Sequence, residues 1–268
     1  MLDPYHLYMT FLGTGTSTGV PVVACDCDVC TSDDPRNKRL RTSIMIQYKG
    51  HTFVVDCGPD FRYQMIRERV EDLDAILFTH EHRDHIGGLD DVRGFNYVLN
   101  KTIDVYAHEK VIEAIHKEFP YISPNKRFFG CPQLNFNPIG NEPFKIFDLL
   151  FTPIKVMHDK LEVYGFRFGD ITYITDASYI APEEAEKIKG SRVIVLNALR
   201  NSHHVSHFSL NEAINLIQEF RPQHAYLTHM SHFIGLHDVV EKKLPYYIHL
   251  AYDGLKVELD VANSNYDF

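Results

Sequence analysis

Short apolar runs separated by turn residues recur along the whole chain, and several end directly in aspartate or histidine. Alternating and β-branched positions predict strands at residues 7–12, 75–78, 103–106, 144–156, 193–196, 225–228 and 255–259. Two hairpins are expected: residues 43–48 with 52–56 about Lys49-Gly50-His51, and 163–168 with 171–175 about Gly169-Asp170. Helical spacing covers residues 61–70, 89–99, 182–189, 210–220 and 238–243, with Ser209 placed as an N-cap. Strands interleaved with helices predict an α/β fold. Residues 107–140 are the least legible. Their aromatics (Phe119, Tyr121, Phe128, Phe129, Phe136) and prolines (Pro120, Pro124, Pro132, Pro138) suit either ordinary packing or an elaboration that covers substrate or a second subunit.

A chain of 268 residues with 44% hydrophobic content buries a sizeable core, and one domain over residues 1–268 is expected. The formal charge of −9 argues against broad nonspecific binding to nucleic acid, although bound cations would make a site locally positive. No run approaches the roughly 18 apolar residues of a membrane span, and Met1-Leu2-Asp3-Pro4 lacks the basic start of a signal peptide, so the expectation is a cytoplasmic protein without a membrane partner. Cys25, Cys27, Cys30, Cys57 and Cys131 are odd in number and three crowd together, which favours a metal site over a disulfide framework. A tetrahedral site then needs a fourth ligand from elsewhere. The glycines of Gly13-Thr14-Gly15-Thr16-Ser17-Thr18-Gly19 have the wrong spacing for a dinucleotide loop and run into Pro21; a flexible turn near the site is expected.

Four potential ligands, His80, His82, Asp84 and His85, fall within six residues directly after the strand at 75–78. The carboxyl ends of strands are where α/β folds form their sites. Imidazole and carboxylate suit zinc, manganese or iron, and one coordination sphere does not take all four from so short a loop, so two ions are expected. The zincin pattern H-E-x-x-H fails, because His80-Glu81 is followed at once by His82. Asp56, His158, Asp176 and His229 also end strands, and a carboxylate such as Asp56 commonly orients neighbouring histidines. His203, His204 and His207 lie just before a helix N-terminus, which attracts anions.

In order, Asp56, His80-x-His82-x-Asp84-His85, His158, Asp176 and His229 resemble the five successive motifs of the metallo-β-lactamase fold superfamily, whose members are mostly dinuclear metallohydrolases. The Gly13-Thr14-Gly15 to Val20-Pro21 stretch, the Cys25-x-Cys27-x-x-Cys30 run and Thr228-His229-Met230-Ser231-His232 resemble the PhnP-type phosphodiesterases within it. That resemblance implies an α/β metallo-β-lactamase-like four-layer αβ/βα sandwich. It implies one ion on His80, His82 and His158, a second on Asp84, His85 and His229, and Asp176 bridging both. A structural zinc on Cys25, Cys27, Cys30 and His232 follows from the same resemblance, as do catalytic roles for Asp84 and for His207, the latter as proton donor to the leaving oxygen. The implied reaction is hydrolysis of small phosphodiesters such as 5-phosphoribosyl 1,2-cyclic phosphate by water activated between two divalent ions, and a homodimer is compatible with it. A transfer-RNA 3′ endonuclease would share the ligands but usually carries a long Gly/Pro-rich arm, and neither an arm nor a basic stripe is present in the sequence, so no extended nucleic-acid surface is expected. A glyoxalase II-type thioesterase would not need the cysteine site. A flavodiiron-type carrier should replace a histidine with an acid, which leaves a metal-dependent binding module as the non-enzyme alternative.

Overall fold

The computed structural model describes residues 6–123, 126–127 and 130–260. In its first half the chain forms β1 (His6–Gly13), β2 (Ser43–Tyr48), β3 (His51–Val55), β4 (Ala75–Leu77) and β5 (Ile103–Ala107), a small pair β6 (Ile122–Ser123) and β7 (Lys126–Arg127), and β8 (Leu134–Pro138). There follow β9 (Phe144–Ile146), β10 (Leu149–His158), β11 (Leu161–Phe168), β12 (Ile171–Ile174), β13 (Tyr179–Ile180), β14 (Val193–Asn197), β15 (His224–Thr228), β16 (Ile248–Leu250) and β17 (Lys256–Asp260). One sheet runs β17-β1-β2-β3-β4-β5-β8 and the other β13-β10-β11-β12-β14-β15-β16, with β9 on β10. Within each, four consecutive strands are parallel: β3-β4-β5-β8, and β12-β14-β15-β16.

Alternation along the strands sorts side chains into layers. Ile44, Ile46, Phe53, Val55 and Leu77 of the first sheet pack with Phe151, Phe166, Tyr173, Val193 and Val195 of the second in one buried cluster. Their sequence neighbours Met45, Val54 and Ile76 instead meet Phe61, Met65, Val111 and Ile115 on helices Phe61–Arg67 and Glu109–Glu118. Ile194 and Leu196 likewise meet Ala213 and Ile217 on helix Leu210–Phe220. The result is helix, sheet, sheet, helix, the expected sandwich. Phe53, Phe151 and Phe166 are fully buried, and each contributes roughly 1.5–3 kcal/mol by leaving water.

Several expectations need correction. Residues 89–99 split into a 3₁₀ turn, Leu89–Val92, and a helix, Arg93–Leu99. Residues 144–156 form two strands, because the chain reverses at Phe147, where φ is +50°. Helix Pro182–Ala185 tightens into i→i+3 turns up to Lys189. The illegible stretch holds helix Glu109–Glu118, capped by His108, and β8, which extends the first sheet. Phe119 and Ile122 are buried there against the helix layer with Tyr121 and Phe136 beside them, so the aromatics pack as ordinary core; Pro124, Phe128 and Phe129 lie outside the described residues. The glycine loop is pinned rather than flexible: Gly15 bridges Arg41 and Met230, and Thr16 N donates to Met230 O at 3.1 Å.

Candidate metal centre

Every parallel strand near the middle of either sheet ends at the same edge, and its last turn delivers a polar side chain there. Asp56 follows β3, His80 follows β4, Asp176 follows β12 and His229 follows β15. Three of these have left-handed backbone, with φ of +67° at Asp56, +55° at Asp176 and +54° at His229. Such conformations are uncommon outside glycine, though aspartate and histidine adopt them more readily than most. The backbones here approach closely. A Cβ on Gly58 would meet Asp84 O at 2.0 Å and one on Gly88 would meet Gly58 O at 1.9 Å, so both positions require glycine. Gly88 thus serves close packing against Gly58.

The buried Asp56 carboxylate aims two histidines. His85 Nδ1 donates to it at 2.7 Å. Thr79 donates through its backbone N at 2.9 Å and through Oγ1 at 2.9 Å, and that hydroxyl in turn accepts from His80 Nδ1 at 2.9 Å. His158 Nδ1 donates to Ser206 O at 2.7 Å. With Nδ1 engaged in each ring, Nε2 is the atom left to hold an ion.

Around the centre, His85 Nε2 lies 3.3 Å from Asp84 Oδ2 and 3.2 Å from Asp176 Oδ2, while His229 Nε2 lies 3.1 Å from Asp176 Oδ1 and 3.8 Å from Asp84 Oδ2. Ligand atoms about 2.1 Å from one ion stand about 3.0–3.4 Å apart at angles of 90–110°, so most of these separations suit coordination. The nitrogens are buried without hydrogen-bond partners: His80 Nε2, His85 Nε2, His229 Nε2 and His207 Nδ1. Three overlapping groups of donors result: His80, His85 and Asp176; Asp84, His85 and His229; and His158, Asp176 and His207. In each, the donor atoms lie within 4.8 Å of one another. His82 joins by its ring, 4.6 Å from that of His80 and 5.1 Å from that of His158, but not by convergent donor atoms. His207 joins His158 in the third group, and the His158 ring also lies 5.9 Å from that of His80.

Charge follows burial and neighbours. Burial, then the adjacent His85, hold His80 well below the usual histidine value, and burial with His158 lowers His82, so both present neutral imidazole. Burial alone would depress His85, but Asp56, Asp176 and Asp84 reverse this and raise it. Burial and His229 push His207 down to about 3.

A second cluster fits a smaller task. His232 Nδ1 stands 3.3 Å from Cys25 Sγ, 3.4 Å from Cys27 Sγ and 3.4 Å from Cys30 Sγ. Tetrahedral zinc with ordinary Zn–S and Zn–N bonds separates such atoms by about 3.5 Å. The Cys30 amide, opposed by burial and helped by the neighbouring thiols and His232, lowers the Cys27 thiol to about 6, whereas burial pushes Cys30 up to about 11. The donor set suits a structural zinc: four ligands leave no open position.

Beneath both clusters lies a network with no sequence signature. Fully buried Arg39 donates to Thr14 Oγ1 at 2.8 Å and to Ala251 O at 2.6 Å, and contacts His237 Nδ1 at 3.2 Å. Asp253 accepts from Thr14 Oγ1 and from Leu40 N, both at 2.8 Å. These bonds join the segment after the cysteines to the chain end.

Two face-to-face sheets with histidines and aspartates converging at one edge define a metal-dependent hydrolase of the metallo-β-lactamase fold. The family model for the Beta-lactamase superfamily domain matches residues 51–230, and the chain belongs to that superfamily. Within it the chain is PhnP-like. A crystal structure of a new diphosphatase from the PhnP family is 39% identical, covers 94% of this chain and 98% of its own, and superposes with a TM-score of 0.89. Probable metallo-hydrolase YhfI of Bacillus subtilis is 25% identical over 80% of this chain and 89% of its own. An octanoyltransferase of Porphyromonas gingivalis is 39% identical over 93% of this chain, and the chain spans about half, 51%, of its length. The fold implies divalent metal ions. Among the described residues no helix is long and apolar enough to cross a membrane.

Proposed function

We propose that the chain hydrolyses small phosphodiesters, cyclic ones included, with two divalent ions held as the resemblance implies: one by His80, His82 and His158, one by Asp84, His85 and His229, and Asp176 between them. The observation that carries this is the convergence of the partnerless Nε2 atoms of His85 and His229 on the Asp84 and Asp176 carboxylates, with His80 grouped beside His85 and Asp176. A buried nitrogen left without a hydrogen bond costs stability, so its persistence here suits a lone pair kept for an ion. The cysteine and His232 cluster is assigned one structural zinc. Likeness to a PhnP-family diphosphatase supports phosphoryl chemistry over thioester hydrolysis.

Divalent ions held there would lower the pKa of water and offset charge on the phosphoryl oxygens. The chain's own groups do the rest. Asp56 fixes the His85 ring directly and the His80 ring through Thr79, so their lone pairs need no reorganisation when charge develops. Ser206 O holds His158 in the same way. His207, stacked on His229 at 4.9 Å and edge-on to His158 at 4.5 Å, is the donor toward the leaving oxygen. It rests neutral, and an arriving phosphate anion opposes the burial that keeps it so. The sugar of 5-phosphoribosyl 1,2-cyclic phosphate, proposed as one substrate, comes from the family likeness alone.

The test is purified, metal-replete protein against an aryl phosphodiester, a cyclic ribose phosphate, a precursor transfer RNA and a glutathione thioester. Turnover of the first two supports the proposal. Turnover of the thioester alone replaces it with a glyoxalase II-like reaction, and inactivity toward all four favours a metal-dependent binding module.

A further inference from the structure

His204 has no part in the reading above, yet its ring is held by Ser206 and set against that of His207. It sits on a loop closed at both ends by backbone bonds, Leu199 N to Phe208 O at 3.0 Å and Leu210 N to Arg200 O at 2.9 Å. Arg200 fastens one side, donating from Nε to Ser202 O at 3.2 Å and from Nη2 to His203 O at 2.8 Å. On the other side His203 meets Glu212 at 3.0 Å, and Glu212 closes the capping box with Ser209. Ser206 is the pivot. Its carbonyl accepts from His158, and its N at 3.3 Å and Oγ at 3.2 Å both address His204 Nδ1. An amide N–H only donates, so His204 Nδ1 accepts and the ring carries its proton on Nε2.

The rings form a stepwise path outward. His229 to His207 is 4.9 Å, and His207 to His204 is 5.2 Å. His204 is only half-buried, whereas His207 and His229 further along the path are buried. With Nδ1 spent on Ser206, the Nε2–H of this half-buried ring is left for an acceptor from outside the chain.

We infer that His204 is a specificity-determining residue whose Nε2–H hydrogen-bonds an acceptor oxygen, on a phosphate or a hydroxyl group, in the leaving portion of the substrate beyond the atom served by His207. The inference rests on the phosphodiester reading and narrows it: the substrate's leaving portion is oxygen-rich rather than bare hydrocarbon. His203, exposed and held by Glu212, braces the loop instead.

Three probes separate the cases with the metal-replete enzyme. Bis(4-nitrophenyl) phosphate has a leaving group whose other oxygens are weakly accepting nitro oxygens, ADP offers a phosphate, and adenosine 2′,3′-cyclic phosphate offers a sugar hydroxyl. Each is followed as turnover or, where it is not turned over, as inhibition of bis(4-nitrophenyl) phosphate cleavage. His204→Ala should weaken one of the two oxygenated probes about 10-fold or more, as expected for loss of a hydrogen bond to a polar or charged acceptor, and at least about fivefold more than the aryl diester. His204→Gln, which keeps an N–H at similar reach, should recover to within about threefold, and metal content should match the wild type. Which oxygenated probe responds identifies phosphate or hydroxyl as the acceptor. Equal losses on all three probes, a drop in bound metal, or no binding of either oxygenated compound by the wild type overturns the inference. Failure of the wild type on bis(4-nitrophenyl) phosphate would strike the phosphodiester reading itself, and this inference with it.

Discussion

Replacing His232 with alanine tests the cysteine cluster most directly, because His232 is the sole distant ligand. Cys25, Cys27 and Cys30 are neighbours, whereas Cys25 and His232 stand 207 positions apart. If the ion kept all four ligands in the unfolded chain, it would close a loop of that length, which the chain-entropy relation converts to about 5 kcal/mol. If instead the ion binds only the folded protein, free zinc a thousandfold above Kd stabilises by about 4 kcal/mol. The two limits nearly coincide. At about 2–4 °C per kcal/mol for a chain near this size, His232→Ala should lower Tm by roughly 10–20 °C. Calorimetry of both proteins, with and without a zinc chelator, and metal content by mass spectrometry would check it. The chelator should lower the wild type by more than the variant and bring the two to the same Tm, any fall shared by both reflecting the ions of the histidine and aspartate centre. A His232→Ala protein that melts within about 2 °C of wild type would refute a zinc tie between the early loop and the end of β15.

Three further outcomes are expected. Asp176→Ala should lower kcat/KM on an aryl phosphodiester on the order of a thousandfold and reduce bound metal, since several kcal/mol of charge stabilisation go with the ions; full activity would remove Asp176 from the centre. Asp56→Asn should cost about 10–100-fold in metal affinity by loosening His85 and Thr79, read by metal titration while the fold is followed by circular dichroism. His237, pushed down to about 4 by burial and by Arg39, binds fewer protons folded than unfolded in mildly acid solution. Its contribution to stability is therefore present above about pH 6.5 and lost as pH falls toward 4, so His237→Asn, which keeps an acceptor for Arg39, should flatten part of the acid decline in a Tm–pH series.

Why these residues could be read from sequence is itself physical. His80, His82, Asp84 and His85 are local, and the strand before them fixes where they emerge, so residue type and spacing carry the information. The same holds for Asp56, Asp176 and His229 at their strand ends. Ser206 could not be found that way: it acts on His158 through a backbone carbonyl, which any residue would supply, and only its N–H and hydroxyl toward His204 depend on local shape. The Arg39 network was hidden for a different reason. An arginine in the basic run Arg36, Lys38, Arg39 and Arg41 reads as surface, and its burial depends on Thr14, Ala251 and His237 arriving from distant segments. Helix Glu109–Glu118 did leave a trace, the buried stripe Val111, Ile112 and Ile115, but the prolines and aromatics after it obscured the period.

The backbone carries the step that joins fold to chemistry. Asp56, Asp176 and His229 come from different strands and share left-handed φ, a conformation that costs on the order of 1–3 kcal/mol at each non-glycine position. Nothing local requires it. An extended residue there would continue the strand direction past the sheet edge, whereas a left-handed one turns the chain immediately and leaves its side chain at the edge. The hydrogen bonds that follow hold each turn: Asp56 N to Leu77 O at 2.9 Å, Met230 N to Thr14 O at 2.9 Å, and Ala177 N to Asn197 Oδ1 at 2.8 Å. Each reaches across to a different strand end. The strain is thus offset by contacts between neighbouring strand ends, and three donors are fixed in place before any ion or substrate arrives, which is what catalysis by preorganised charge requires.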